Sequence, residues 1–475
     1  MSQKITIEPV TRIEGHAKVT IHLDDEGKVA SARLHVNEFR GFERFCEGRM
    51  YFEMPVITER ICGICPVSHH LAAAKACDAI AGVEPPPTGR LIRELLHMGQ
   101  YIQSHAMHFF HLAGPDLLLG MDADPAKRNV FGLVETAPEI ALKAVQLRKF
   151  GQEIIRRVGG RRVHPIVAIP GGVNASLSEA DREAILSQCD EVAVSIQMGI
   201  GLIRNYCEEH AREVQEFANF DSGYMGLVDE NGGLALYDGK IKVIDASGKT
   251  LEKGRPAADY LSFIAERTED WSYLKFHYYY RLGFPEGIYR VGPLARLNVA
   301  ARLDTPLAGE EFKRFKALND GRPVSGSLYY HYARMIEALY ALERARALLE
   351  DNLISGDEIA TPFDQLNREG VGVLEAPRGT LIHHYQVDET GKLEKVNLIV
   401  ATGHNNWAMN EAVTSVAKRY VDGTKLTEGM LNRIEAAIRC YDPCLSCSTH
   451  ALGQMPLLVQ LVSPMGEVIS EARKR

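Results

Sequence analysis

The 475-residue chain is 45% hydrophobic and 24% charged, the balance of an ordinary globular protein, and its length allows roughly two to four domains or one large one. Its 54 basic and 62 acidic residues leave a net charge of −8, which argues against a broad nucleic-acid footprint or a polybasic membrane contact. The longest apolar run, Val192–Ile203, is too short to span a bilayer, and Met1-Ser2-Gln3-Lys4 lacks the apolar core of a secretory signal. The expected compartment is therefore the cytoplasm, unless a partner chain carries an export signal.

Residues 4–40 alternate, with β-branched positions at Ile5, Ile7, Val19, Ile21, Val29 and Val36 around an Asp24-Asp25-Glu26-Gly27 turn, and read as a small antiparallel sheet. Between its strands lies Pro9-Val10-Thr11-Arg12-Ile13-Glu14-Gly15-His16, followed by Phe39-Arg40-Gly41-Phe42-Glu43. Taken alone, Glu14 and Glu43 read as solvated carboxylates. Next comes Arg60-Ile61-Cys62-Gly63-Ile64-Cys65-Pro66-Val67-Ser68-His69. Its Cys-x-x-Cys spacing lets two thiolates reach one metal ion from a single turn of chain.

Leu71–Ile80 is Ala-rich and helical, stopping at Gly82. Thr88–Leu112 is a long amphipathic helix carrying His97, His105, His108 and His111. No carboxylate completes a His-Glu-x-x-His motif there, so packed or surface histidines are expected. Ala137–Val158 is a further helix, and Ser178–Phe217 reads as one or two helices opened by a Ser-x-x-Asp cap.

From Gly223 the pattern becomes strand-like, with Leu234–Tyr237 and Lys240–Asp245 flanking Asp238-Gly239 as an expected hairpin. Helices are expected at Ala257–Thr268, Gly309–Leu318 and Ser325–Leu349. A second sheet over 371–402 includes Leu381–Val387 and Lys395–Val400. Helices Met409–Tyr420 and Thr427–Ala437 lead into Asp442-Pro443-Cys444-Leu445-Ser446-Cys447-Ser448-Thr449-His450. No repeat or linker interrupts the chain. The expectation is one large α+β domain over 1–475: mostly helical, with a large central bundle and small antiparallel sheets at the N-terminus, in a mid-chain insertion and near the C-terminus.

Nine cysteines spread over a long chain are not a secreted disulfide framework; Cys77, Cys189, Cys207 and Cys440 sit singly in helical patterns and read as small hydrophobes. One metal taking both Cys-x-x-Cys pairs would tie the two ends of the protein together. Thiolates favour zinc, iron–sulfur, copper or nickel over magnesium or calcium, and spacing does not separate these.

With both pairs placed, the chain resembles the large subunit of nickel–iron hydrogenases. The blocks that carry the resemblance are Arg-Ile-Cys-Gly-Ile-Cys-Pro with His69, Asp-Pro-Cys-x-x-Cys-x-x-His, residues 9–16, residues 40–43 and Glu-Ala-Pro-Arg-Gly-Thr (375–380), in the family's order. His69-His70, Gly171-Gly172-Val173-Asn174, Ser327–Tyr330 and Ala451–Pro456 are most similar to the cytoplasmic bidirectional, NAD-reducing branch.

The resemblance implies reversible heterolytic cleavage of H2. Cys62 and Cys444 would be terminal nickel ligands, and Cys65 and Cys447 would bridge to an iron carrying carbon monoxide and cyanide. Cys444 would take the first proton and Glu14 would relay it. Arg378 would stand over the open face, Thr402 would donate to a cyanide, Asp116 would orient Arg378, and His69 would hydrogen-bond a bridging thiolate. Glu43, the Leu398 carbonyl and His450 would hold magnesium. Residues 451–475 would be a C-terminal extension, removed after His450 by a maturation endopeptidase once nickel-insertion factors have acted.

Implied partners are a small subunit carrying iron–sulfur clusters and a diaphorase module binding NAD and FMN, with a ferredoxin or heterodisulfide-reductase-type acceptor as the alternative. A scaffold subunit with a structural four-cysteine zinc and a hydrogen-sensing regulatory homologue are the competing readings.

Overall fold

A computed structural model describes residues 4–36, 41–421, 427–448, 457–462 and 468–474. Arg40, His450 and Ala451–Pro456 lie outside the described residues.

The N-terminal sheet forms as expected. Strands β1 (Lys4–Ile7), β2 (Ala17–Leu23) and β3 (Val29–Val36) pair antiparallel in the order β1-β2-β3, with Ile5 opposite Ile21 and Val19 opposite Leu34. Asp24 closes the β2–β3 turn by accepting from the amides of Glu26 and Lys28.

The helical body is built from α1 (Pro66–Ala81), α2 (Pro87–Ala106), α3 (Pro138–Gly159), α4 (Cys189–Glu209) and α5 (Tyr329–Glu350). Helix α2 packs against α3 and α5, and α5 against α4. Helices α6 (Asn406–Tyr420) and α7 (Glu428–Cys440) follow near the C-terminus, α7 capped by Thr427, whose hydroxyl accepts from the Met430 amide. The helix expected over Thr88–Leu112 is regular only to Ala106. It then widens into a π turn over Met107–Ala113 before the short helix Gly114–Leu119. The cause is local: Pro115 has no N–H to give, and its ring crowds the carbonyl four residues back. The expected Ser178–Phe217 helices are three pieces, Glu179–Leu186, Cys189–Glu209 and Ala211–Glu216, the first capped by Ser178 as expected.

The mid-chain insertion differs from the expected hairpin. Leu234–Tyr237 is not a strand partner of Lys240–Asp245. Strand β5 (Lys240–Ile244) pairs instead with β4 (Gly223–Val228), and on its other side with β6 (Thr250–Arg255) through the Asp245–Lys249 turn. The Leu234–Tyr237 segment places its backbone bonds elsewhere: Leu234 N–H donates to Arg302, and Leu236 C=O accepts from Glu375. Ala257–Thr268 is not a helix either. A 3-10 turn, Ala257–Ser262, leads into a strand, Ile264–Glu269, paired antiparallel with Ser272–Tyr279. Cross-strand partners, among them Glu266 opposite His277, override the local helical pattern there.

The second sheet, β7 (Glu369–Ala376), β8 (Gly379–Val387) and β9 (Leu393–Ile399), is antiparallel in sequence order. Helix α1 lies on β7 so closely that a Cβ on Gly372 would sit 2.1 Å from the Ala72 carbonyl. That contact explains why α1 is Ala-rich and buried on every side. Residues Leu457–Val462 and Val468–Lys474 form an antiparallel hairpin.

The histidines of the long helix are packed, as expected. His97 Nε2–H donates to the Glu375 carbonyl at 2.8 Å, His105 Nε2–H to the Glu337 carboxylate at 2.9 Å, and His108 Nε2–H to the Arg439 carbonyl at 2.8 Å. Burial pushes His70, His97 and His105 down to about 4 and His331 to about 3. An unfolded chain would bind protons at these sites from the ordinary histidine value of about 6.5, while the folded chain stays neutral. Stability contributed by the neutral rings is thus complete above about pH 6.5 and is lost as pH falls towards 4. Thermal melts from pH 7 to pH 4.5 should show a fall in melting temperature, reduced in a His97→Gln, His105→Gln variant; an unchanged pH slope in that variant would contradict the assignment.

Candidate metal centre

Two chain ends converge on four sulfurs. Cys62 follows a 3-10 turn, Glu59–Ile61, in extended conformation, and Cys65 sits immediately before α1, whose Pro66 occupies the first helical position. A helix N-terminus favours the thiolate of a residue placed there. The amides of Ile64 and Cys65 also point at Cys62 Sγ, at 3.2 and 3.5 Å. From the other end, Asp442 takes a positive φ of 53°, Pro443 follows, and a tight turn closes with Cys447 N–H donating to the Cys444 carbonyl at 3.1 Å.

All four Sγ atoms lie within 4.8 Å of one another and are buried; this is the group among the described residues able to hold a metal through three or more such ligands. Cys62 and Cys444 are 3.1 Å apart, Cys444 and Cys447 2.9 Å, and Cys65 and Cys447 3.6 Å, all well beyond a disulfide bond. Hydrogen bonds from Cys444 hold Cys62 well below the usual thiol range and Cys65 at about 6, while burial pushes Cys444 and Cys447 far up. Four sulfurs this close cannot all be anionic without a cation among them. The donor set is soft, preorganised and dry, which suits a thiophilic metal and not magnesium or calcium.

Beside Cys65, Cys444 and Cys447 lies a small cavity of about 10 Å³, lined also by His69, Pro377, Arg378, Leu381, Val400 and Thr402. It has room for about one water-sized group against the sulfurs. Arg378 is fully buried at its edge: Nε donates to the Asp442 carbonyl at 2.6 Å and Nη2 to Asp442 Oδ1 at 3.0 Å. Burial opposes the guanidinium charge, but Asp442 and the sulfurs more than offset it, so the cation is held firmly. Burial raises Asp442 itself to about 6.

The sequence pattern of the family described as "Nickel-dependent hydrogenase" matches residues 40–131 and 209–450, and a HoxL-like pattern matches residues 4–39. This chain belongs to the nickel-dependent hydrogenases. It is similar to the NAD-reducing hydrogenase HoxS subunit beta of Cupriavidus necator, 46% identical over 99% of both chains. It is also 45% identical to a chain of the F420-non-reducing hydrogenase vhu of Methanocaldococcus jannaschii, over 87% of this chain and 99% of that one. A solved NAD+-reducing NiFe hydrogenase in the H2-reduced state superposes with a TM-score of 0.92 at 48% identity, over 94% of this chain and 99% of its own. The large-subunit fold, mostly helical with small antiparallel sheets, is the one observed here. The protein is the catalytic subunit of a hydrogenase, and its four-cysteine group fits the family's nickel–iron centre. The structural-zinc scaffold reading gives way to this.

The other residues that the sequence singles out are met at the following places. His69 Nε2 lies 3.4 Å from Cys447 Sγ, and its Nδ1 is 3.2 Å from His383, which in turn bonds Tyr385 Oη. Thr402 Oγ1 accepts from the Cys444 amide at 2.9 Å, leaving its own proton free to point into the cavity.

Glu14 pairs backbone to backbone with the second cysteine turn, and Leu445 N–H donates to its carbonyl at 3.2 Å. Its carboxylate, however, is taken by Ser446: the amide donates to Oε2 at 3.0 Å and the hydroxyl to Oε1. The hydrogen bonds of the Glu14 carboxylate thus run to Ser446, next to Cys444 in the turn, and not to Cys444 Sγ.

Asp116 does not orient Arg378. It bonds Arg12, Asn432 and Arg439, and the carboxylate holding Arg378 is Asp442. Asp442 stands inside the second cysteine motif, but spacing carries no hint of its partner.

Glu43 and Leu398 do come together: the Leu398 amide donates to Glu43 Oε1 at 2.8 Å. Sequence patterns miss Lys275, whose ammonium lies 3.0 and 3.2 Å from the two Glu43 oxygens and 3.5 Å from Glu266. Lys275 sits on a strand beyond the segment expected to be helical, so no pattern links it to Glu43. Burial raises the Glu43 carboxyl despite this cation.

Arg378→Lys should keep a charge but lose the two-point hold on Asp442. The expected result is a fall in H2 turnover of at least about 100-fold with nickel content unchanged; turnover within about threefold of the parent would contradict a role for the guanidinium.

Proposed function

We propose that this chain is the H2-cleaving subunit of a cytoplasmic hydrogenase that passes electrons to NAD(P)+ through a small subunit with iron–sulfur clusters, then through a diaphorase module binding FMN and NAD. The observation that carries the reading is the full-length identity with an NAD-reducing relative, with the four-cysteine group intact. No helix among the described residues is long and apolar enough to cross a membrane, which accords with it. A second reading rests on the F420-non-reducing relatives at 37–45% identity: the same H2 chemistry coupled to a ferredoxin or heterodisulfide-reductase-type partner.

In this reading Cys62, Cys65, Cys444 and Cys447 would hold the nickel–iron centre, Cys62 and Cys444 as ligands of nickel alone and Cys65 and Cys447 as ligands shared with an iron that would carry carbon monoxide and cyanide. When bound, that centre supplies two-electron redox chemistry and polarises H2. The chain supplies the rest. Cys444 accepts the proton, and Glu14, released from Ser446, receives it and passes it outward. Arg378, fixed by Asp442, presents a cation to the open face without solvent to screen it. Thr402 would donate to a cyanide of the centre, and His69, 3.4 Å from Cys447, steadies that sulfur.

Glu43, the Leu398 carbonyl and His450 form the proposed magnesium site. The carboxylates of Glu43 and Glu266 suit a hard cation, which would have to displace the Lys275 ammonium from a Glu43 oxygen. Residues 451–475 are the proposed extension cut after His450 by the maturation endopeptidase.

The complex purified with its partner chains should reduce NAD+ under H2. Reduction of ferredoxin or a disulfide acceptor with no NADH formed would favour the second reading. Glu14→Gln should keep its nickel and lose at least about 100-fold in exchange of H2 with D2O; full exchange activity in that variant would remove Glu14 from the proton path.

A further inference from the structure

The loop carrying Glu14 is pinned at both ends, and the pin far from the sulfurs is a buried charge cluster that the proposed chemistry does not use. At the near end, Gly15 has φ +85° and lies against the second cysteine turn so closely that a Cβ would meet Leu445 Cβ at 2.7 Å. At the far end, Arg12 is a non-glycine residue in the left-handed region, with φ 54°. Such a backbone persists only where its surroundings over-determine it.

Those surroundings centre on Asp116. Oδ1 accepts from Arg12 Nη2 at 2.5 Å and from Asn432 at 3.0 Å; Oδ2 accepts from Arg439 Nη1 at 2.5 Å. Arg12 also donates to the Leu112 carbonyl at 2.8 Å and to Asn432 Oδ1 at 3.1 Å. Arg439 then reaches back to the loop, donating from Nε to the Thr11 carbonyl at 3.1 Å, and Glu435 accepts from the Thr11 amide and hydroxyl at 3.2 and 2.6 Å. Asp116 is 3% exposed and Arg439 1%. Asp116 thus stands between two guanidiniums, with a third, Arg128, at 3.7 Å, and Glu435 pairs with Arg439 at 2.5 Å.

We propose that Asp116 is a positioning residue for Glu14: by clamping Arg12 and Arg439 together it fixes the backbone of Thr11–Gly15 and with it the placement of the Glu14 carboxylate beside the second cysteine pair. The inference rests on Glu14 carrying the proton. Neutralising Asp116 leaves Arg439 still paired with Glu435 but strips Arg12 of the Asp116 carboxylate while it faces Arg439 in a buried space, and the relief is for Arg12 to leave its left-handed backbone. The loop then loosens at Glu14, two residues on, while the four cysteines keep their own turn and helix.

The test uses the complex as purified with its partner chains, and the variants Asp116→Asn, Asp116→Glu and Arg12→Lys, with Glu14→Gln as reference. Backbone amide exchange is read at Thr11, Leu445 and Ser446, whose N–H groups now bond Glu435, the Glu14 carbonyl and the Glu14 carboxylate. Asp116→Asn should speed exchange at these amides by about tenfold and lower kcat at least about fivefold, with the solvent deuterium isotope effect raised, KM for H2 unchanged and nickel retained. Asp116→Glu should recover most of the rate. Should Asp116→Asn fail to assemble, Arg12→Lys, which keeps the charge but cannot span Asp116, Asn432 and Leu112, should give the same pattern. Parental amide exchange, or slower turnover that merely tracks lost nickel, would overturn the proposal. Full turnover in Glu14→Gln would instead overturn the relay reading and leave the amide-exchange result to stand by itself.

Discussion

Everything in this chain depends on closing four sulfurs across 382 residues, the separation of Cys62 from Cys444. Bringing distant chain segments together costs entropy that grows only slowly with loop length, so the penalty is tolerable if the ends are already shaped to meet. They are. One pair is set by the start of α1, a helix locked onto β7 by backbone-to-backbone contact at Gly372. The other is set by a turn after α7, against which the Thr11–Gly15 loop is laid. The remaining cost is electrostatic, since four buried sulfurs in mutual contact cannot be anionic together without a cation.

The same problem recurs outward from the centre, and arginine solves it each time. Arg378 answers Asp442. Arg296, fully buried, grips Glu337 at 2.6 and 2.7 Å and Glu375 at 2.8 Å, and with its remaining donors holds the carbonyls of Ala376 and Pro377. The strand end presenting Arg378 is thereby tied to α5. Breaking such a pair from one side leaves an uncompensated buried charge, which costs far more than the pair contributes, so these clusters act as fixed geometry.

Local chemistry is readable wherever the chain solves its own problem. The N-terminal sheet, the Ser178 and Thr427 caps and the Gly82 stop all follow from neighbours within a few residues. So do the cysteine pairs, because two ligands on one turn leave a spacing signature. What cannot be read is decided by partners far off in sequence. Leu234–Tyr237 bonds Arg302 and Glu375 in place of its neighbour strand. Ile264–Glu269 is a strand because Ser272–Tyr279 pairs with it. Lys275 on Glu43, Asp442 on Arg378 and Asp116 on Arg12 are charge pairs with no periodicity. The resemblance brings Asp116 to the right neighbourhood and the wrong arginine.

The central claim is that the four thiolates hold nickel together with an iron carrying diatomic ligands. Infrared spectroscopy of the complex purified with its partner chains, alongside elemental analysis, tests it most directly. The account predicts sharp absorptions from metal-bound carbon monoxide and cyanide with nickel and iron present, all lost together in a Cys65→Ser variant. Absence of those absorptions with zinc in place of nickel would contradict it.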